Sequence, residues 1–123
     1  MQAIIVGYGL AGSVFHAPLL QSAGFEIAAI VVRNPERRAQ AATAHPHALI
    51  CDDLTQALSQ TTADLVALAS PTATHAPLAI EALQAGRHVV IDKPFTVDVQ
   101  EAKAVIAAAH AANRLVIPFQ DRR

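Results

Sequence analysis

The sequence predicts a doubly wound α/β fold, in which one parallel sheet of six strands is covered by helices on both faces. Short runs of β-branched and aliphatic residues alternate with longer alanine-rich stretches, and 27 of the 123 residues are alanine. The strand-like runs are almost continuously apolar, as in parallel strands buried on both faces. Such alternation forms right-handed crossovers, and the expected strand order is 3-2-1-4-5-6.

The predicted strands are short and separated by helix-forming segments. In chain order they are Ala3–Val6, Ile27–Val32, Ala48–Cys51, Leu65–Ala69, His88–Ile91 and Leu115–Phe119. The first helix is predicted over Ala11–Ser22, and Pro18 should break or kink it. The second is predicted over Pro35–Ala44, because Asn34 can act as N-cap and a proline stands at the first helical position.

Polar and glycine residues mark the ends of the later helices. These helices are predicted over Leu54–Leu58, Thr74–Ala85 and Val99–Ala112. Asp53 and Thr74 are the expected N-caps of the first two, and Gly86 should end the second. Asp98 followed three residues later by Glu101 is a capping-box pattern at the start of the last.

Composition and charge exclude several classes of protein. The net charge of −1 provides no basic surface for nucleic acid or for anionic membranes. No apolar run is long enough to span a bilayer, and the N-terminus is predicted to be a strand instead of a signal peptide. Cys51 is the only cysteine, which favours a reducing, cytoplasmic compartment. His45 and His47 lack the further ligands that a metal site needs.

A glycine-rich turn follows the first predicted strand. Gly7-Tyr8-Gly9-Leu10-Ala11-Gly12 has the spacing G-x-G-x-x-G and opens a predicted helix, the context in which this pattern binds dinucleotides. Gly7 would form the tight turn, Gly9 would let a pyrophosphate approach the backbone, and Gly12 would let the helix pack closely. The helix N-terminus favours phosphate. Gly7, Gly9, Leu10, Ala11 and Gly12 are therefore candidate cofactor-binding residues, and the alternative is a tight turn without a ligand.

The end of the second predicted strand favours NADP over NAD. An acidic residue there would bind the ribose 2′-hydroxyl of NAD, but Glu36 already lies in the next helix. Arg33 stands where a 2′-phosphate would lie, and Arg37 and Arg38 follow one helical turn later. A guanidinium suits phosphate in charge and in donor geometry. Arg33 and Arg38 are therefore candidate cofactor-binding residues, although either helical arginine could belong to a solvated helix face, and NAD stays an alternative.

Several motifs together resemble one family of oxidoreductases. The glycine turn and its continuation into Phe15–Leu20 resemble one branch of the glucose–fructose oxidoreductase/inositol dehydrogenase family (Gfo/Idh/MocA). The resemblance continues through Ser70–His75 and Ala82–Val90, and ends in Asp92-Lys93-Pro94, where the family has Glu-Lys-Pro. It covers essentially the whole chain. It implies an NAD(P)-dependent oxidoreductase that moves hydride between the cofactor and a sugar, polyol or related alcohol–carbonyl pair.

The resemblance also implies roles for individual residues. Lys93 matches a lysine beside the nicotinamide that contacts the reactive oxygen of the substrate or assists proton transfer, and is the candidate catalytic residue. Ser70 and Pro71 match the loop that lines the nicotinamide half of the cleft. His75 matches a motif histidine for which ligand contact and local packing are both open. Asp92 keeps the charge of the family's glutamate with one methylene less.

The resemblance further implies a second domain, which supplies most of the substrate pocket, the usual catalytic pair and the oligomer interface. We expect residues 1–123 to form a single dinucleotide-binding domain without it. Such a chain should bind a nicotinamide dinucleotide but be catalytically incomplete. A standalone dinucleotide-binding module or sensor, and a non-catalytic relative, are the alternatives.

Overall fold

The computed structural model describes residues 1–9, 16–92 and 98–119. The strands are β1 (Gln2–Val6), β2 (Glu26–Val31), β3 (Leu49–Cys51), β4 (Leu65–Leu68), β5 (His88–Asp92) and β6 (Val116–Phe119). The helices are α1 (Ala17–Ser22), α2 (Pro35–Ala44), α3 (Leu54–Gln60), α4 (His75–Gln84) and α5 (Val99–Ala112), and a 3-10 turn over Thr72–Thr74 precedes α4.

All six strands pair in parallel, in the order β3-β2-β1-β4-β5-β6. The predicted fold class and strand order are therefore confirmed. The observed strand ends lie within one residue of the predicted ends. A strand that lies in the middle of such a sheet must be apolar on both faces, and the near-continuous apolar runs made these strands easy to locate.

The core consists of two layers, one on each face of the sheet. Along β1, Ile4 and Val6 belong to the layer that includes buried residues of α3, α4 and α5. Ala3 and Ile5 belong to the layer that includes Ala17 of α1 and Ala41 of α2. Because successive side chains of a strand point to opposite faces, β1 contributes to both layers and lies at the centre of the fold.

Three of the predicted helix caps are confirmed. The side chain of Asn34 accepts a hydrogen bond from the backbone N–H of Arg37 at 3.1 Å. Asp53 and Asp98 accept equivalent bonds from the third residue of their helices, at 2.8 and 2.9 Å. Gly86 follows α4 with a φ of +83°, the left-handed conformation that ends many helices.

The prediction that the Thr74 side chain caps α4 is wrong. Thr74 stands at the N-cap position, but its backbone is near-helical (φ −93°, ψ −8°) because a 3-10 turn leads into the helix. A capping side chain needs an extended backbone at that position. The Thr74 hydroxyl instead donates back to the carbonyl of Pro71 at 2.6 Å.

The first predicted helix is described from Ala17, and residues 11–15 of that prediction lie outside the described part of the chain. Pro18 occupies the first turn of α1, where a missing N–H costs little. α3 extends two residues beyond the predicted end, to Gln60. Among the described residues, no helix is both long and apolar enough to cross a membrane.

Candidate functional site

The predicted site residues that the structure describes gather at one edge of the sheet, where the strands end. In-register pairing places Val6 beside Val31 and Leu68, and Leu68 beside Ile91, so these strands end together. We call this end of the sheet, at which the parallel strands terminate, the carboxyl edge. It is distinct from the outermost strands, β3 and β6. The strand order reverses between β1 and β4, and open α/β sheets bind their ligands at such a point.

The backbone conformation at position 7 and the close packing around it both require a glycine there. Its φ of +92° is strained for any residue with a side chain. A Cβ at this position would lie 3.1 Å from the backbone C and O of Ala69 and from the backbone N of Ser70. The turn after β1 therefore lies directly against the loop after β4, which is the close turn that the sequence predicts at this position.

Neither the backbone conformation nor a contact with the described residues requires a glycine at position 9. Its φ is not in the left-handed region, and the nearest atom to an added Cβ would be Cζ of Arg37 at 3.5 Å. That distance is an ordinary van der Waals contact with the end of a flexible side chain. The described neighbours of Gly9 therefore do not by themselves require a glycine, in contrast to those of Gly7.

Tyr8 separates these two glycines and anchors the turn. Its side chain is 5% exposed and packs in the core layer that includes α1 and α2. Burial raises the pKa of the Tyr8 phenol.

Leu10, Ala11 and Gly12 of the predicted cofactor site, and the predicted catalytic Lys93, lie outside the described residues.

The three predicted arginines all lie at the carboxyl edge, but they differ in their partners. Arg33 donates from Nε to the backbone carbonyl of Asp52 at 2.9 Å. Arg38 donates from Nη1 to the carbonyl of Val32 at 2.8 Å and to Oδ1 of Asp52 at 2.7 Å. Arg37 lies beside Gly9. The sequence analysis selected Arg33 and Arg38 as candidates and left a solvated helix face open for either helical arginine; the structure gives the three arginines different partners.

Asp52 is a residue of this site that sequence reasoning missed. It follows β3, which pairs with β2 so that Val31 lies beside Cys51. The backbone N–H of Val32 also donates to the carbonyl of Cys51 at 3.0 Å, which keeps the two strand ends together. The signal was present in the sequence, because the predicted strand order already placed the residue after the third strand next to the end of the second.

The loop between β4 and α4 is held by a compact set of hydrogen bonds. The hydroxyls of Ser70 and Thr74 lie 2.8 Å apart. Nε2 of His75 lies 2.8 Å from the carbonyl oxygen of Ser70, and the His75 ring is 1% exposed. His75 therefore fixes the loop that contains Ser70 and Pro71, the predicted boundary of the nicotinamide half of the cleft.

The end of β5 meets the start of α1 at the same edge. Nε2 of His16 lies 3.8 Å from Oδ2 of Asp92, and the His16 side chain is 2% exposed. Asp92 is the last residue of β5 and directly precedes Lys93. The ends of β1, β2, β4 and β5 and the described site residues next to them thus lie at one edge of the sheet.

A separate cleft of about 980 Å³ lies at the opposite edge, which we call the amino edge. It is lined by the first residues of β1 and β2 and by the ends of α1, α2 and α3, and includes His45 and His47. Burial lowers the pKa of His45. Within the described ranges, no group of three or more His, Cys, Asp or Glu residues could hold a metal ion. The amino-edge cleft contains none of the predicted site residues.

Comparison with known proteins gives a consistent result. The model of the Gfo/Idh/MocA family, described as an oxidoreductase family with an NAD-binding Rossmann fold, matches residues 1–119. The oxidoreductase YdgJ of Escherichia coli K12 is 34% identical over 119 residues, which are 97% of this chain and 34% of that protein. The scyllo-inositol 2-dehydrogenase (NADP(+)) IolW of Bacillus subtilis is 32% identical over 97% of this chain and 33% of its own length.

A solved structure is similar over the same region. The WlbA dehydrogenase of Bordetella pertussis, determined in complex with NADH and UDP-GlcNAcA, matches with a TM-score of 0.89 and 31% identity. The match covers 97% of this chain and 34% of that one. The chain thus spans about a third of the length of the curated relatives it matches.

Proposed function

The chain belongs to the Gfo/Idh/MocA family of oxidoreductases, and we propose that it is the NADP(H)-preferring nucleotide-binding part of an enzyme acting on a sugar, a polyol or a related alcohol–carbonyl pair. The observation that carries the proposal is the position of the glycine turn, which follows β1 at the point where the strand order reverses, with arginines beside it. A dinucleotide needs both features, because its pyrophosphate must come close to the backbone and its adenosine end needs hydrogen-bond donors.

The preference for NADP(H) rests on the residues that follow β2. No acidic side chain stands there to accept hydrogen bonds from a ribose 2′-hydroxyl, and Arg33 occupies that position. Arg38 lies at the same corner, and both side-chain hydrogen bonds that it makes within the described chain use Nη1. Its Nε and Nη2 can therefore serve a phosphate. IolW is named for NADP(+) and WlbA was solved with NADH, so the relatives support either cofactor.

In this proposal the chain binds and orients the cofactor, and the nicotinamide supplies or accepts the hydride when bound. Gly7 forms the tight turn after β1, and Gly9 lets the pyrophosphate approach the backbone. The loop of Ser70 and Pro71, fixed by His75, flanks the nicotinamide. Lys93, next to Asp92 at the end of β5, contacts the reactive oxygen of the substrate or moves a proton to or from it.

In our proposal, residues outside this chain bind most of the substrate. The chain corresponds to 33–34% of the length of YdgJ and IolW, and all of its described strands belong to one sheet. We therefore propose that residues 1–123 bind the cofactor without turnover, and that the substrate pocket and the oligomer interface lie in a further domain.

Calorimetric titration of the chain with NADPH and NADH tests the proposed function. We expect both to bind and NADPH to bind more tightly. Arg38→Gln should weaken NADPH binding by about 10- to 100-fold, because a hydrogen bond to a charged group is worth about 1.5–3 kcal/mol. NADH binding should change little, since NADH has no 2′-phosphate.

Lys103→Gln is the matched control, because it also removes one positive charge but from the exposed side of α5. It should leave both affinities unchanged. Failure of the wild-type chain to bind either dinucleotide would contradict the proposed function. An equal loss of NADPH and NADH affinity in Arg38→Gln would contradict only the role of Arg38 in cofactor choice.

A further inference from the structure

Asp52 connects two arginines that the proposed function assigns to the adenosine end of the cofactor. Its carboxylate accepts from Arg38 at 2.7 Å, and its backbone carbonyl accepts from Arg33 at 2.9 Å. The Asp52 side chain is 70% exposed and that of Arg38 is 34% exposed. A negative charge therefore already occupies part of the corner in which a 2′-phosphate would be recognised.

This arrangement inverts the usual use of an acid at the adenosine end. An acid that follows the second strand binds the ribose hydroxyls directly and selects NAD. Asp52 follows the third strand and is engaged with Arg38, so it acts through the arginine. A phosphate that binds Arg38 must share the guanidinium with the carboxylate and accept a like charge at close range.

We propose that Asp52 is a specificity-determining residue that weakens the preference of this chain for NADP(H) over NAD(H), by competing with the 2′-phosphate for Arg38. The inference rests on the proposed function, because it requires a dinucleotide at the carboxyl edge. NADH carries no charge at the 2′ position, and its affinity is therefore insensitive to the carboxylate.

The opposite role, in which Asp52 prepares Arg38 for the phosphate, is disfavoured by the second bond of Arg38. Nη1 also donates to the backbone carbonyl of Val32 at 2.8 Å, and this bond is independent of the Asp52 side chain. Arg38 therefore keeps an anchor when the carboxylate is removed. What the carboxylate adds is its negative charge, which opposes a phosphate.

The local backbone makes Asp52→Asn a specific substitution. The bond from Arg33 is accepted by the main-chain carbonyl, and the backbone N–H of Asp52 donates to Oε1 of Gln56 at 3.0 Å. Both bonds survive a change of side chain. Asparagine also keeps the size of the side chain, so the substitution removes the charge and little else.

The test is calorimetric titration of wild type, Asp52→Asn and Asp52→Ala with NADPH and with NADH. The ratio of the NADH to the NADPH dissociation constant should rise about three- to tenfold in both variants, the effect expected of one like charge at close range near a protein surface. The rise should come from tighter NADPH binding. It should shrink at high ionic strength, because the group is exposed.

Asp64→Asn is the matched control, since it removes one negative charge at the amino edge, where the Asp64 carboxylate accepts from the backbone of Gln2. It should leave the ratio unchanged, and thermal unfolding confirms that each variant is folded. An unchanged or lower ratio in both Asp52 variants, with wild type binding normally, would overturn this inference alone. Wild type that binds neither dinucleotide would overturn the proposed function and this inference with it.

Discussion

Gly9→Ala is expected to weaken the binding of NADPH and NADH alike while leaving the fold intact. Overpacking a close contact costs about 1–3 kcal/mol, which corresponds to about a 5- to 150-fold loss of affinity. The atoms nearest to the new Cβ would belong to the flexible guanidinium of Arg37, at 3.5 Å and beyond. The free energy of unfolding should therefore stay within about 1 kcal/mol of wild type, because alanine also restricts the unfolded chain.

The two effects are measured separately, affinity by calorimetric titration and stability by urea unfolding. Because the pyrophosphate is common to both dinucleotides, the NADPH and NADH affinities should fall by the same factor. This distinguishes Gly9 from Arg38, whose replacement should affect NADPH more. Unchanged affinity for both dinucleotides in a folded Gly9→Ala variant would show that no ligand approaches the backbone at this position.

Gly7→Ala is expected to act on the fold itself, with a loss of stability of about 2–5 kcal/mol before any ligand is added. A left-handed backbone costs about 1–2 kcal/mol for a residue with a Cβ, and overpacking adds about 1–3 kcal/mol. Gly7 combines a φ of +92° with a would-be Cβ at 3.1 Å from the backbone of Ala69. Backbone atoms of a central loop cannot move aside as a side chain can.

Gly86→Ala provides the matched control for this prediction. Gly86 has a similar φ of +83°, but nothing lies within 4 Å of an added Cβ. Its substitution should therefore cost only the conformational part, about 1–2 kcal/mol. Urea unfolding of the two variants separates the two contributions. Equal losses at positions 7 and 86 would show that the close approach between the turn and the loop after β4 does not constrain Gly7.

The fold could be predicted from the sequence because its signals are local. Apolar runs located the strands, and Asn34, Asp53 and Asp98 marked helix starts that the structure confirms. Thr74 was misassigned because its capping role depends on backbone conformation, which the short 3-10 turn before α4 changes. The sequence contains no strong signal for so short a turn.

The site was predicted less completely, because its chemistry depends on contacts between distant segments. The G-x-G-x-x-G spacing does not distinguish Gly7 from Gly9. Their neighbours in space show that close packing requires a glycine at position 7, whereas no described contact requires one at position 9. Likewise, Arg38 is paired with Asp52, 14 positions away along the chain. The charges that follow β2 in the sequence do not reveal that Asp52, which follows β3, is the partner of Arg38.

We expect a nicotinamide dinucleotide to bind at the carboxyl edge of this sheet. A ¹H–¹⁵N correlation spectrum of the labelled chain, recorded during titration with NADPH, tests this claim. We expect the largest shifts at the amides of Gly7, Gly9, Arg33 and Ser70. Shifts concentrated instead around the amino-edge cleft, at residues such as His45, would contradict the claim.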